Sequence, residues 1–240
     1  MMGWGKSGNL HTTMFILVDK PKGMTSHDVV DRVRQITGER WVGHAGTLDP
    51  NATGLLIVGV GRESTRKLGA IAKGTRKTYV ADVILGEERD TDDAEGKVTE
   101  RAKGVLPPSK HEVERTLNDF VGEGKQIPPQ FSAIKMQGKK AYELARKGKK
   151  ITLQSRFISV YRIYLMRYSY PILSFEADVS AGTYIRALAR DIGRKLGMGA
   201  YLGDLRRKKI GTYSVEQAVQ LESLTEKNWQ EFALDRGVVQ

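Results

Sequence analysis

Gly43-His44-Ala45-Gly46-Thr47-Leu48-Asp49-Pro50 is followed, three residues on, by Gly54-Leu55-Leu56-Ile57-Val58-Gly59-Val60. The first stretch is a Gly- and Pro-marked turn with a carboxylate at its tip. The second is an apolar run of strand length. A buried strand beside a loop holds a reactive group rigidly while leaving it reachable. Asp49 is therefore a candidate nucleophile or acid–base group. An Asp before Pro in a turn also commonly does no more than accept backbone hydrogen bonds. The turn alone does not choose between these readings.

Working outward, Met14-Phe15-Ile16-Leu17-Val18 reads as a strand. Thr25 with Asp28 has the spacing of a capping box, and Val29, Val30, Val33 and Ile36 then recur at helical spacing up to Gly38. Residues 62–72 read as a helix, and 79–85 as a strand ending at Gly86. An acidic turn over 87–96 follows, then an amphipathic helix over 109–121 capped by Ser109. Gln126-Ile127-Pro128-Pro129-Gln130 reads as an irregular loop, because paired prolines suit neither a helix nor a central strand. A short basic helix is expected over 141–147, and a strand pair over 157–168 and 172–179 turning near Pro171. The spacing of Ile185, Leu188, Ala189, Ile192 and Leu196 predicts a helix over 183–196. A short helix is expected near 214–219. Helices and strands are mixed without regular βαβ alternation, so the fold class is α+β with a mixed sheet.

The 240 residues are enough for one or two domains with a proper core. No apolar run reaches the length of a membrane span. Residues 1–13 lack a long apolar run and read as an N-terminal extension rather than a signal peptide. There is no cysteine, which excludes disulfides, thiolate metal sites and Cys nucleophiles and fits a cytoplasmic location. None of the four histidines pairs at helical ligand spacing, so no metal is expected. Gly5-Lys6-Ser7 lacks the leading glycine of a P-loop, and Ser64 stands where a third dinucleotide-binding glycine would. Asp90-Thr91-Asp92 opens like a calcium loop, but Ala94, Glu95 and Arg101 break the pattern. No cofactor is expected.

The net charge of +11 favours a polyanionic partner. Residues 122–150 hold eight Lys/Arg and two Glu, a net of +6. This concentration points to nucleic acid, with a solvated basic face as the alternative. Tyr79 follows Lys73, Arg76 and Lys77 and suits either base stacking or a core position. Arg186 lies in the first turn of its predicted helix, where a cation opposes the macrodipole, so a buried carboxylate partner would offset it. Arg186, Arg190 and Arg194 also fall on one face, which admits a phosphate-facing stripe. His44 either contacts RNA or closes its turn.

Taken together, the motifs resemble the TruB family of tRNA pseudouridine synthases. The matching residues are Val18-Asp19-Lys20-Pro21-Lys22-Gly23-Met24-Thr25-Ser26, Gly43 to Pro50 with Ala52, Gly54 and Leu55, and Lys77-Thr78-Tyr79. Asp90-Thr91 with Asp93 and Gly96 follows, then Gln126-Ile127-Pro128-Pro129-Gln130-Phe131-Ser132-Ala133 with Lys135, Gly138, Ala141-Tyr142-Glu143 and Ala145-Arg146. Gly182-Thr183-Tyr184-Ile185-Arg186 and Leu205-Arg206-Arg207 complete an ordered series. The resemblance implies the pseudouridine synthase fold: a largely antiparallel central sheet, flanking helices, and an RNA-binding insertion at 122–150 within a catalytic domain spanning 14–212. It implies isomerisation of a T-loop uridine of tRNA, without cofactor or metal, by a monomer. Asp49 would be the catalytic aspartate, Tyr79 would stack on the flipped uracil, and Arg186 would pair with Asp49. His44 would contact displaced bases, Leu205 would wall the pocket, and Lys20 would lie near the site and contact RNA. Lys135, Lys139, Lys140, Arg146, Arg206 and Arg207 would contact RNA. Two departures stand out: Phe131 replaces a usual tyrosine, and 213–240 is too short for the PUA-type domain that members often carry. A different RNA target, or a non-catalytic tRNA-binding chaperone, is the alternative.

Overall fold

The computed structural model describes residues 13–132, 135–136, 139–140 and 153–235. The chain divides into two compact units: Met1–Gly74 with Val215–Gln240, and Thr75–Ser214.

In the first unit the two apolar runs pair. Strand β1 (Met14–Lys20) lies antiparallel to β3 (Thr53–Val60), with Met14 opposite Val60 and Lys20 opposite Gly54. The short β2 (Val42–Ala45) joins β3 antiparallel. Val219–Gln220 adds to β1 in parallel, and Ala233–Asp235 pairs with β1 antiparallel. Helix α1 (Ser26–Thr37) has the expected capping box at Thr25 and ends at Gly38. Its Val29, Val30, Val33 and Ile36 pack into one cluster with Ile16, Val18, Leu56, Val58 and Leu221. Each such buried side chain contributes about 1.5–3 kcal/mol. Helix α2 (Arg62–Gly74) presents Leu68 to a slot between Gly43 and Gly59, which face each other across β2 and β3. A Cβ at Gly43 would come within 3.0 Å of Leu68 Cδ1, and one at Gly59 within 3.2 Å of Cδ2. Gly59 thus has a packing reason unrelated to nucleotide binding.

The second unit is an antiparallel sheet. Its strand β4 (Lys77–Leu85) precedes a small hairpin of β5 (Glu87–Arg89) and β6 (Val98–Arg101). The predicted acidic turn is therefore strand at its start, Glu87–Arg89, and irregular over 90–96. Helix α3 (Lys110–Asn118) has Ser109 as its cap, completed by Glu112 into a capping box, but stops three residues short of the predicted end. Strand β7 (Gly122–Gln126) is followed by the two-residue strands β8 (Lys135–Met136) and β9 (Lys139–Lys140), which pair with each other. β10 (Arg156–Ser169) and β11 (Ile172–Val179) form the expected pair, and β10 also pairs with β7. Helix α4 (Ile185–Lys195) begins after Tyr184, two residues later than predicted. β12 (Ala200–Ile210) lies beside β4 and carries the short β13 (Tyr213–Ser214). The order is β12-β4-β11-β10-β7. Ile185, Leu188, Ala189 and Ile192 of α4 are buried as expected.

The expected helix near 214–219 is a single 3₁₀ turn, Val215–Gln217, before the Val219–Gln220 strand. The expected helix over 141–147 lies outside the described residues. No helix among the described residues is long and apolar enough to cross a membrane. The class is α+β with a mixed, mostly antiparallel sheet, as read from the sequence.

Candidate active site

Asp49 belongs to the first unit, where the Val18-to-Ser26 motif folds around its turn. Ser26 is 2% exposed, and its Oγ accepts from the Leu48 N–H at 2.9 Å and donates to the Leu48 carbonyl at 3.1 Å. Leu48 is itself buried. On the far side, the Pro50 carbonyl accepts from Lys20 Nζ at 3.1 Å and from the Gly23 N–H at 2.9 Å. The Asp49 carbonyl accepts from the Ala52 N–H at 3.1 Å. Both neighbours of Asp49 are thus tied, and its side chain is half-buried. Geometry of this kind holds a carboxylate in one pose and leaves it accessible.

Lys20 corrects the expectation of an RNA contact. It is fully buried, and its ammonium also donates to the carbonyls of Pro21 at 2.9 Å and Met24 at 2.6 Å. It braces the turn from beneath. His44 is half-buried on β2, with its ring 6.4 Å from that of His27 and nearly perpendicular to it.

In the second unit, strand register sorts the other candidates. Tyr79 on β4 is directly opposite Ala177 on β11 and Arg207 on β12. The next row on the same face holds Ala81, Phe175 and Leu205. Tyr79 and Leu205 are buried, and Arg207 is only 1% exposed. Arg207 is therefore a buried neighbour of Tyr79 rather than a surface RNA contact. Arg206 points to the opposite face and is half-buried. Lys77 is buried and donates to the Thr75 carbonyl at 2.8 Å. Burial, then the charge of Arg207, pushes its ammonium down to about 8.

Helix α4 carries a ladder of arginines against the acidic turn. Arg186 Nη1 donates to the Thr91 carbonyl at 3.1 Å and Asp93 Oδ2 at 3.2 Å, while Nη2 donates to the Phe131 carbonyl at 3.1 Å. Arg190 Nη1 meets Asp92 Oδ2 at 2.8 Å, and its Nη2 meets the Ile127 carbonyl at 2.9 Å. Its Nε donates to Asp191 Oδ1 at 2.9 Å. Arg194 grips Glu88 through two bonds of 2.7 Å. The three guanidinium groups face protein carboxylates, which replaces the reading of a phosphate-facing stripe. A carboxylate partner for Arg186 at the helix start is present as the half-buried Asp93. Burial pushes the Asp92 carboxyl up to about 6, against the charges of Arg190 and Arg186. Hydrogen bonds from Arg194 hold the Glu88 carboxyl below its ordinary range.

The turn itself is closed tightly. Asp90 Oδ1 accepts from the Lys97 N–H at 2.8 Å. A Cβ at Gly96 would fall 2.3 Å from Thr91 Oγ1, so only glycine fits there. Helix α4 has no side-chain cap of its own at Tyr184. Gln126 supplies one: its Oε1 accepts from the Tyr184 N–H at 2.9 Å and its Nε2 donates to the Tyr184 carbonyl at 3.1 Å.

A family model described as the N-terminal domain of TruB family pseudouridylate synthases matches residues 34–185. One described as the tRNA pseudouridylate synthase B C-terminal domain matches 186–239. The chain is 47% identical over 222 residues to tRNA pseudouridine synthase B of Aquifex aeolicus, covering 91% of this chain and 76% of that protein. The chain belongs to the TruB family. It is also 45% identical over 219 residues to the protein of the same name from Thermobifida fusca, covering 87% of this chain and 73% of that one. A chain from the crystal structure of a Cbf5-Nop10-Gar1 complex aligns with TM-score 0.70 and 31% identity, covering 91% of this chain and 56% of that one. This chain therefore spans little more than half the length of that structural relative.

Within the TruB family match, the sequence reading had singled out Asp49, Tyr79, Arg186, His44 and Leu205. Asp92, Arg190 and Gln126 carry no site role in that reading, and here their side chains join separate segments. The available signal was the four-residue spacing of the arginines beside the carboxylates of 90–93. Lys135 and Lys140 lie opposite each other in the β8–β9 hairpin, and Lys139 pairs with Met136. The side chains of Lys135, Lys139 and Lys140 lie outside the described residues, as does Arg146 altogether. The same holds for much of the 122–150 insertion.

Proposed function

We propose that this chain converts a T-loop uridine of tRNA to pseudouridine, with Asp49 as the reacting carboxylate. The observation that carries the reading is the Asp49 turn: a half-buried carboxylate flanked by two tied residues, in a chain of the TruB family. The N1–C1′ bond of the uridine breaks, the base turns while held, and a C5–C1′ bond forms. C5 loses a hydrogen and N1 ends with one, so neither oxidant nor water is consumed.

The base must leave its stack to be reached. Tyr79 offers it a ring face and Leu205 an apolar wall. His44, Arg206, Lys135, Lys139, Lys140 and Arg146 are assigned to RNA. Burial disfavours an ionised carboxylate and a guanidinium favours it, so Asp49 and Arg186 are assigned to one reaction. The buried Lys20 and Arg207 support the Asp49 turn and the Tyr79 row. The proposal includes a cytoplasmic monomer acting on the T-arm.

The test is incubation with unmodified tRNA followed by mapping of pseudouridine. A single modified T-loop uridine is expected, and Asp49→Ala abolishes product while keeping tRNA affinity. Pseudouridine at another position would retain the reaction and change the target. Binding without any pseudouridine would favour the chaperone reading.

A further inference from the structure

Arg190 has no part in the proposed chemistry, yet it is only 8% exposed and each of its three nitrogens is engaged. Two of its contacts lie on separate segments, Asp92 in the acidic turn and the Ile127 carbonyl in the proline loop. One helical turn earlier, Arg186 contacts neighbouring groups on the same two segments: Thr91 and Asp93, and Phe131. Asp92 also stands at φ 60, the left-handed region, and is the one non-glycine residue found there among the described residues. Such a conformation costs about 1–3 kcal/mol and persists only where the surroundings enforce it. Here the enforcement is visible. The Leu202 N–H donates to the Asp92 carbonyl and the Ala94 N–H donates to the Leu202 carbonyl, both at 3.0 Å. The side chain of Asp92 meets Arg190. The backbone of Asp92 then sets the direction in which Asp93 leaves toward Arg186.

We propose that Arg190 and Asp92 are positioning residues: Arg190, paired with Asp92 and bonded to the Ile127 carbonyl, clamps the acidic turn and the proline loop to the helix and so fixes the pose of Arg186. The inference rests on the assignment of Arg186 to the reaction. A guanidinium displaced by 1 Å can lose on the order of a hundredfold in rate while substrate still binds. A pair that served stability alone would lower the melting temperature without separating rate from affinity.

The experiment measures single-turnover pseudouridine formation at saturating unmodified tRNA, and tRNA affinity, with the full chain. The Arg190→Gln/Asp92→Asn double variant leaves neither charge of the pair buried without its partner, and its thermal transition reports folding. Its rate is expected to fall on the order of a hundredfold with affinity within about threefold. Arg190→Lys keeps the charge but loses the fork, and is expected to fall at least about tenfold. Arg194→Gln, on the more exposed outer rung, stays within about twofold. A folded double variant with wild-type rate, or one whose rate falls only with its affinity, overturns the proposal. If the double variant does not fold, a wild-type rate in Arg190→Lys overturns it equally. Asp49→Ala in the same assay separates the two levels. Activity there sinks the reaction assignment, whereas inactivity there with a normal double variant sinks only the clamp.

Discussion

A buried ammonium is tolerated only when its protons are taken by acceptors. Lys20 satisfies this with the carbonyls of Pro21, Met24 and Pro50. Lys20→Met removes the ammonium from all three carbonyls, and of these Pro50 keeps the Gly23 N–H. We expect a loss of about 2–4 kcal/mol, read as a lower melting temperature. Turnover is expected to fall further than tRNA affinity, because the turn beside Asp49 loosens. Lys20 was legible as part of a motif but not as a brace, since Pro50 is thirty residues away in sequence. Arg206 and Arg207 teach the same lesson at closer range. They are neighbours in sequence, yet strand alternation sends one to each face, and nothing in the pair Arg-Arg says which is buried.

At the scale of elements, the ladder between α4 and the acidic turn gives a pH signature. The Asp92 carboxyl is raised by burial from 3.8 to about 6. A raised value means that the folded chain holds the proton more tightly than the unfolded chain. The stability from this group is fully present below about pH 4 and is lost as pH rises through about 6. Asp92→Asn cannot titrate, so its stability relative to wild type should improve between about pH 4 and pH 7, by at most about 3 kcal/mol. Denaturant melts of both proteins across that range check this, and parallel curves would count against it. The elements with strong local signals were legible: the Thr25 capping box, the Ser109 cap, the α1 stripe and the apolar strands stand as read. β7 was not, because Gly122-Glu123-Gly124-Lys125 has no apolar alternation and becomes a strand through its pairing with β10. The ladder was visible as spacing, but whether it met phosphate or protein depended on tertiary placement of the acidic turn.

Over the whole chain, the charge of +11 and the basic stretch at 122–150 predict binding dominated by phosphate contacts. Affinity for tRNA should fall at least about tenfold between about 50 and 200 mM salt, measured by titration at several concentrations. A flat response would remove the basic stretch from the interface. The class and the order of the longer elements were readable because they follow hydrophobic period and punctuation. The candidate site was readable as a set of motif residues, while its bracing was not, because each brace joins distant segments. Gln126 is the last residue of β7 before the chain enters the proline loop, and its amide latches both backbone groups of Tyr184. Arg186 follows two residues later. The end of β7 is thus tethered, through that amide, to the start of the helix that carries Arg186, so a strain applied where the strand stops would reach the helix terminus first.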